Sequence, residues 1–326
     1  MTGMTIVWGL VAVGGVPLVL WAYLYLIENA LKKVNPRKRA KIRPWIWLLP
    51  AFLLLGAFLI YPAVNTIVLG FMNANSTKFV GFANFASIFT DPNMLVVLRN
   101  NLLWLVVFTL VTVTLGLLIA VLSDRVKYES VTKAVIFLPM AISFVAAGVI
   151  WKFMYQFQPA GTAQVGTVNA FLTGIDPHFP PQAWLFNKSE NNWALIIVGI
   201  WMWTGFAMVI LSAGLKGIPD TLIEAARMDG ANELQIFFQV TMPLLRPTLT
   251  VVATTLIINV LKIFDIVYVM TNGNLGTEVI ANRMYKEMFN YQNFGRASAI
   301  AVILLVAIIP VMVLNIKRFG QKGSSI

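Results

Sequence analysis

The chain has 326 residues, 59% hydrophobic and 11% charged, with a net charge of +11. Soluble domains carry about 25% charged residues, so lipid rather than water is the solvent for most of this chain, and its positive balance reads as cytoplasmic loops rather than nucleic-acid binding. With no cysteine and one histidine, His178, disulfides, thiolate metal sites, cysteine nucleophiles and histidine metal clusters are excluded.

A spanning helix needs about 20 apolar residues, and seven segments reach that length. The first, 5–27, has its cations after the apolar core and the flank "YLYLIENALKK". It reads as a retained anchor rather than a signal peptide, which has a positive leading region. A basic linker, "KKVNPRKRAKIR" (32–43), follows with seven Lys and Arg. The second segment, 45–72, is long enough to tilt, and Pro50 and Pro62 predict kinks in it. Segments 101–122 and 134–156 come next, then a loop at 157–192 rich in Pro, Gly and Asn that holds His178. Within it "GTVNAFLTG" predicts a short helix. A loop of that length is either functional or a passive connector.

Segment 193–215 carries "WMWTG". Trp201 and Trp203 are two apart and point to different helix faces, so one can line a cavity while the other meets lipid. An interfacial aromatic belt is the alternative for both. The same alternative applies to Trp151 and Tyr155, which share a face at i, i+4.

The insert 216–247 is polar although apolar spans flank it. Pro219 suits a first helical turn, and Asp220 and Glu224 sit where a helix dipole favours negative charge. Leu222, Ala225, Ala226 and Asp229 share one face. Gly230 suits the left-handed residue that ends a helix, and Asn232 suits the cap of a second, "ELQIFFQV". Pro243 and Pro247 are expected to halt that helix before the next span. The insert therefore predicts helix, sharp turn, helix. An amphipathic helix on the bilayer surface is the alternative, against which the acidic, mixed character of the first helix counts.

Segment 248–271 carries Asn259, Lys262 and Asp265. An ionised residue at a span centre costs roughly 2.5–3.5 kcal/mol on insertion scales, which marks a functional candidate. Lys262 and Asp265 are three apart, so the spacing lets them pair. Phe264 and Tyr268 flank them, and aromatic faces beside hydrogen-bonding groups suit a sugar ring. A purely structural Lys–Asp pair is the alternative. The seventh segment is 296–316.

If all seven segments cross, sixteen Lys and Arg, Arg125 and the tail residues Lys317, Arg318 and Lys322 among them, fall on one side. Six fall on the other: Lys78, Arg99, Lys188, Arg283, Lys286 and Arg296. This asymmetry places the N-terminus outside and the C-terminus in the cytoplasm of a bacterial-type plasma membrane. No phosphate-binding Gly-x-x-x-x-Gly-Lys-Ser/Thr loop is present, so the chain is not expected to hydrolyse ATP. No catalytic pairing of carboxylates or of Ser and His is visible, and the chain reads as no enzyme.

The stretch "EAARMDGA", followed by "FFQVTMPLLRP", resembles the EAA loop of ABC importer permeases. Residues 45–318 are similar to the carbohydrate-uptake, maltose-type branch, through "LPMAISFVAAGVIWKFMY" and "KIFDIVYVMTNG". The stretch "MTNGNLGTEVIANRMYKEMF" looks most like α-glucoside permeases, although Asn274-Leu275 replaces the Gly-Pro that many sugar permeases have after Gly273.

The resemblance implies an all-α membrane fold with a six-helix permease core at 45–326. Residues 1–44 are then an added anchor and linker. It further implies a coupling loop at 216–247 docked on a separate ATPase through Glu224, Ala225, Ala226, Asp229, Gly230, Ala231 and Pro243. Candidate substrate contacts are Trp203, Asn259, Lys262, Phe264, Asp265 and Tyr268. The partners implied are a second homologous permease, two ATPase subunits that carry ATP and Mg, and an extracytoplasmic solute-binding protein. The cargo implied is an oligosaccharide, α-glucoside or related glycoside. An autonomous ion-coupled transporter, with Lys262 and Asp265 as a relay, and a non-transporting scaffold are the competing readings.

Overall fold

A computed structural model describes residues 2–124 and 126–322. Arg125 lies outside them, as do the side chains of Lys317, Arg318 and Lys322. The described chain is helical, without a strand beyond one isolated bridge between Met72 and Phe79.

Contacts divide the chain into residues 1–65 and 66–326. The first unit holds α1, Thr2–Leu31, and the start of α2, which runs Pro36–Gly70. Here Tyr23 donates to the carbonyl of Ile46 at 2.7 Å, and Glu28 pairs with Arg39 and Arg43. Arg43 also sits 4.8 Å above the Trp47 ring. Only residues 32–35 of the basic linker form the turn between α1 and α2. With Asn35 as the cap and Pro36 at the first position, the remaining cations from Arg37 to Arg43 lie on the first turns of α2.

The second unit is built from α3 (Ala83–Thr90), α4 (Pro92–Ser123), α5 (Glu129–Phe137), α6 (Phe144–Met154), α7 (Thr167–Ile175), α8 (Asn191–Lys216), α9 (Asp220–Met228), α10 (Glu233–Leu261), α11 (Asp265–Met270), α12 (Ile280–Tyr285) and α13 (Phe294–Lys322). Among the described residues five helices are long and apolar enough to cross a membrane: α2, α4, α8, α10 and the Phe294–Val313 part of α13. The bent pair Glu129–Ala141 and Phe144–Met154 adds a sixth if its two halves count as one broken span rather than a re-entrant loop. Five to six apolar spans in a helical chain agree with the expected all-α membrane fold.

In lipid, burying apolar surface gives little net drive, so close packing holds spans together. α8 is the central span, with 67% of its apolar window inside the protein against 28% for α4 and for α13. Small residues let its neighbours approach. A Cβ at Gly205 would lie 2.5 Å from the Ile136 carbonyl oxygen, so α5 packs there backbone against backbone. Around α8 gather Trp104 and Phe108 of α4, Leu256 of α10 and Ile266 of α11, each at most 2% exposed.

Three expectations are corrected. Segment 134–156 is not straight: its halves meet at 98°. Pro139 lies in the single tight turn Leu138–Ala141, and the Ser143 side chain caps a new helix by accepting from Ala146 N–H at 3.1 Å. Segment 248–271 is not one span: α10 ends at Leu261, and α11 starts only at Asp265. Asn101 of α4 eases that break, donating to the Leu261 carbonyl at 3.5 Å and accepting from Ile280 N–H at 2.7 Å.

Lastly, Pro243 and Pro247 halt nothing, because α10 passes through both. A π turn at Phe237–Thr241 ends two residues before Pro243. Another, at Gly56–Ile60, ends two residues before Pro62 in α2. A proline ring strikes the carbonyl four residues back in a regular helix, and the wider turn moves that carbonyl aside.

The long loop at 157–192 is a folded unit. Asn169 of α7, fully buried, donates to the carbonyls of Gln156 (3.3 Å) and Gln182 (2.9 Å). Its Oδ1 accepts from Gln182 N–H (3.0 Å) and Trp184 Nε1 (3.1 Å). One side chain therefore ties both ends of the loop to the helix predicted from "GTVNAFLTG".

Candidate functional site

The break after Leu261 opens a cavity of about 190 Å³. Its walls include Asn259, Lys262, Phe264 and Asp265 from the break, Trp203 from α8, and Phe108 and Phe144 from α4 and α6. Trp203 stacks on Phe144 with ring centres 6.1 Å apart and meets Phe206 edge-on at 5.4 Å. Phe264 stacks on Tyr268 at 5.0 Å, and Tyr285 closes the same cluster. Five of the six predicted substrate contacts thus surround one cavity. Tyr268 stands behind Phe264 rather than on the wall.

Lys262 and Asp265 do not pair, since no ion pair among the described residues joins them. The helical spacing that would have aligned them is lost where the chain leaves the helix, at Lys262 (φ −106°) and Phe264 (φ −138°). Both residues line the cavity instead. Asn259 donates to the Thr255 carbonyl one turn back at 2.9 Å, which orients its amide. The wall therefore offers aromatic faces, one cation, one carboxylate and one amide, the mixture that holds a polyhydroxylated ring by stacking and hydrogen bonds.

A larger hollow of about 710 Å³ lies along Lys152, Gln156, Phe157, Phe186, Thr271 and Asn274. Beside it Trp151, Tyr155, Trp184 and Trp201 form one interior cluster. Tyr155 is 6% exposed and donates to the Ala194 carbonyl at 3.1 Å, so it belongs to no surface belt.

Sequence reasoning missed a buried polar frame beside this hollow. Asn272, Gly273, Leu275 and Gly276 all have positive φ, from 51° to 82°. Buried side chains hold that loop: Asn191 donates to the Leu275 carbonyl (2.9 Å), and Asn100 and Asn192 to that of Gly276 (2.7 and 3.2 Å). Lys286 donates to the Asn272 carbonyl at 2.6 Å and pairs with Glu278. Arg283, Glu287, Arg296 and Asp91 form a second chain of pairs. Arg283, Lys286 and Arg296, counted as loop cations, are mostly buried partners in these networks. The i, i+4 spacing of Arg283 and Glu287 was the available signal.

The second candidate site is the insert. α9 has no buried residue. Gly230 has φ +86°, and no atom lies within 4 Å of where a Cβ would sit, so its need for glycine is conformational and not steric crowding. Asn232 and Gln235 then form a reciprocal capping box, and Arg227 pairs with Glu233 across the turn at 3.0 Å. Pro219 is the cap of α9 rather than its first residue. Glu224, Ala225 and Asp229 are exposed, with Met228 89% exposed beside them, while Ala226 and Ala231 are partly covered. Pro243 is distant in sequence, inside α10, and partly covered. The pattern is a stiff, capped helix–turn–helix that presents a mixed acidic and apolar face with no partner within the described chain.

Residues 112–317 match the family model described as "Binding-protein-dependent transport system inner membrane component". The chain is 58% identical over 274 residues to the "Osmoprotective compounds uptake permease protein GgtC" of Synechocystis sp., covering 84% of this chain and 98% of that protein. It is 44% identical over 296 residues to the "Alpha-glucoside transport system permease protein AglF" of Rhizobium meliloti, covering 90% and 88%. Among solved structures, a chain of a bacterial ABC transporter involved in the import of the acidic polysaccharide alginate superposes with a TM-score of 0.72 at 22% identity, covering 86% of this chain and 99% of that one.

Proposed function

The chain belongs to the family of binding-protein-dependent transport system inner membrane components and is the multi-pass permease component of an ABC importer; from that premise we propose that its cargo is an α-glucoside or a related small glycoside. Its relatives carry names of osmoprotective-compound and α-glucoside permeases. The observation that carries the proposal is the cavity at the broken helix, where Trp203 and Phe264 supply ring faces and Asn259, Lys262 and Asp265 supply hydrogen-bonding groups. A substrate with both C–H faces and hydroxyls uses all of them.

In this reading the chain forms half of the path, and a second, homologous permease forms the rest. A solute-binding protein delivers cargo from outside. Two ATPase subunits, which hold ATP and Mg, dock on the insert at 216–247. Glu224 pairs with a cation of the ATPase groove, Ala225, Ala226 and Ala231 allow close approach, and Gly230 sets the turn that presents them. The N-terminus lies outside and the C-terminus inside, as the cation asymmetry argues. Nucleotide drives the switch only if it favours one state of the paired permeases over the other.

The test is reconstitution with these partners in proteoliposomes. Uptake of a panel of sucrose, trehalose and maltose is expected to require ATP inside and the binding protein outside. Uptake by the purified chain alone, driven by an ion gradient, would favour an autonomous transporter instead.

A further inference from the structure

We propose that Lys133 is a positioning residue that clamps the first half of the bent span to the helix feeding the coupling loop, so that the two move as one body. The proposal rests on the coupling role given above to residues 216–247.

Lys133 lies on α5 and reaches three oxygens at once. Its Nζ donates to Asp124 Oδ1 at 2.7 Å, to the Glu129 carboxylate and to the hydroxyl of Ser212 on α8. Ser212 in turn donates to Asp124 Oδ1 at 2.8 Å, so its single proton and an accepting lone pair are both committed. Lys216, the last residue of α8, pairs with Glu129. Ser212 is 2% exposed and the Lys133 side chain 17% exposed, which limits competition from water. Two cations, two carboxylates and one hydroxyl thus join the α4–α5 connection, α5 and the last turns of α8. The coupling helix α9 begins only four residues after Lys216.

A second contact sits two turns along the same face of α8. At Gly205 the backbones touch, a Cβ there lying 2.7 Å from Phe137 Cα. Ser212 and Gly205 are seven residues apart, about 10 Å along the axis. Two contacts at that separation fix the angle between α5 and α8, where one alone would leave a pivot. Beyond the 98° bend, α6 packs on α11: a Cβ at Gly148 would lie 3.2 Å from Val269. α11 begins at Asp265, on the cavity wall. A push on α9 therefore has a continuous packed route to the cavity: α8, the Lys133 cluster, α5, α6, α11. Lys133 is not among the residues that line the cavity, and its hydrogen-bond partners Asp124, Glu129 and Ser212 lie outside α9.

The test uses the complete transporter in proteoliposomes, with α-glucoside uptake and ATP hydrolysis measured in the same vesicles. The cargo is whichever of sucrose, trehalose and maltose the unaltered transporter takes up. Lys133→Met is expected to keep the ATPase bound and hydrolysing while uptake per ATP falls about fivefold or more, within the range such contacts modulate. Lys133→Arg is expected to restore most of that ratio. Where Lys133→Met does not assemble, the pair Lys133→Cys and Ser212→Cys serves, since the native chain has no cysteine. Unbridged, the pair is expected to be poorly coupled. Bridged by a bis-methanethiosulfonate cross-linker about as long as a lysine side chain, which forms a disulfide with each cysteine and releases sulfinate, it is expected to recover.

Loss of uptake on bridging would mean that α5 and α8 slide past each other, and it would overturn the proposal. So would an unchanged uptake per ATP in Lys133→Met. Glu224→Ala separates the two levels. If it uncouples while Lys133→Met does not, the clamp alone is wrong. If neither variant changes the ratio, the coupling role of the insert is wrong.

Discussion

Lys286 Nζ lies 2.6 Å from Glu278 Oε2, and the two side chains are only 10% and 13% exposed. The pair braces the positive-φ loop at 272–276, because the same ammonium donates to the Asn272 carbonyl. Glu278→Ala leaves a buried ammonium with that carbonyl as its remaining partner. Removing one member of a buried pair costs about 3–5 kcal/mol. The detergent-purified transporter carrying Glu278→Ala is expected to melt several degrees lower, and Glu278→Ala with Lys286→Met to recover part of the loss. Equal melting of the single and double variants would show that the pair does not brace the loop.

Asp91 makes a pH prediction. The hydrogen bond from Arg296 holds its carboxyl below the usual carboxylate range, against the opposing effect of burial. A lowered folded value means that the stabilisation is fully present above the unfolded pKa of about 3.9 and is lost as pH falls through the folded value. Asp91 therefore contributes no slope to melting between pH 5 and 8, and a decline only below about pH 4. Asp91→Asn is expected to lower the melting temperature at pH 7 and to reduce the drop in acid. A matching acid drop in the variant would assign it to other carboxylates.

The cavity predicts a graded substitution series. Asp265→Asn and Asn259→Ala each remove polar contacts, and Phe264→Ala removes a ring face. Each is expected to cut α-glucoside uptake by about 10-fold or more, on the scale of one to three kcal/mol per lost buried polar partner. Tyr268→Ala, one layer behind the wall, is expected to cost less than Phe264→Ala. The check is concentration-dependent uptake in cells that carry the whole transporter, with membrane levels matched by immunoblot.

Gly230 supplies a conformational prediction. Its φ of +86° costs an L-residue with a Cβ roughly 1–2 kcal/mol. Gly230→Ala is expected to weaken ATPase retention during purification, and Gly230→Asn, which tolerates that region better, to weaken it less. Equal retention by both would remove the turn from the account.

Much of this architecture was legible because its signals are local. Apolar runs located the spans, and the turn at 229–232 was readable because Gly230 and Asn232 each have one conventional role at a helix boundary. The cavity was half legible: Asn259, Lys262, Phe264 and Asp265 were conspicuous as polar and aromatic residues in a greasy segment. That segment still read as an unbroken helix, since the cap that permits its break, Asn101, is 160 residues away. Phe108 and Phe144 complete the wall from other spans, and no spacing in the chain links them to Lys262. The prolines misled because a π turn, which no residue type announces, carries the helix through Pro243.

The central claim is that the turn Glu224–Gly230 meets a separate ATPase on the inner face. The absence of native cysteine makes the direct measurement simple. Ala225→Cys in the assembled transporter is expected to cross-link through a short thiol reagent to a cysteine placed in the ATPase groove, and the ATPase is expected to shield it from an impermeant thiol label in inside-out vesicles. Labelling of Ala225→Cys from the outside of intact cells, or equal labelling with and without the ATPase, would contradict the account.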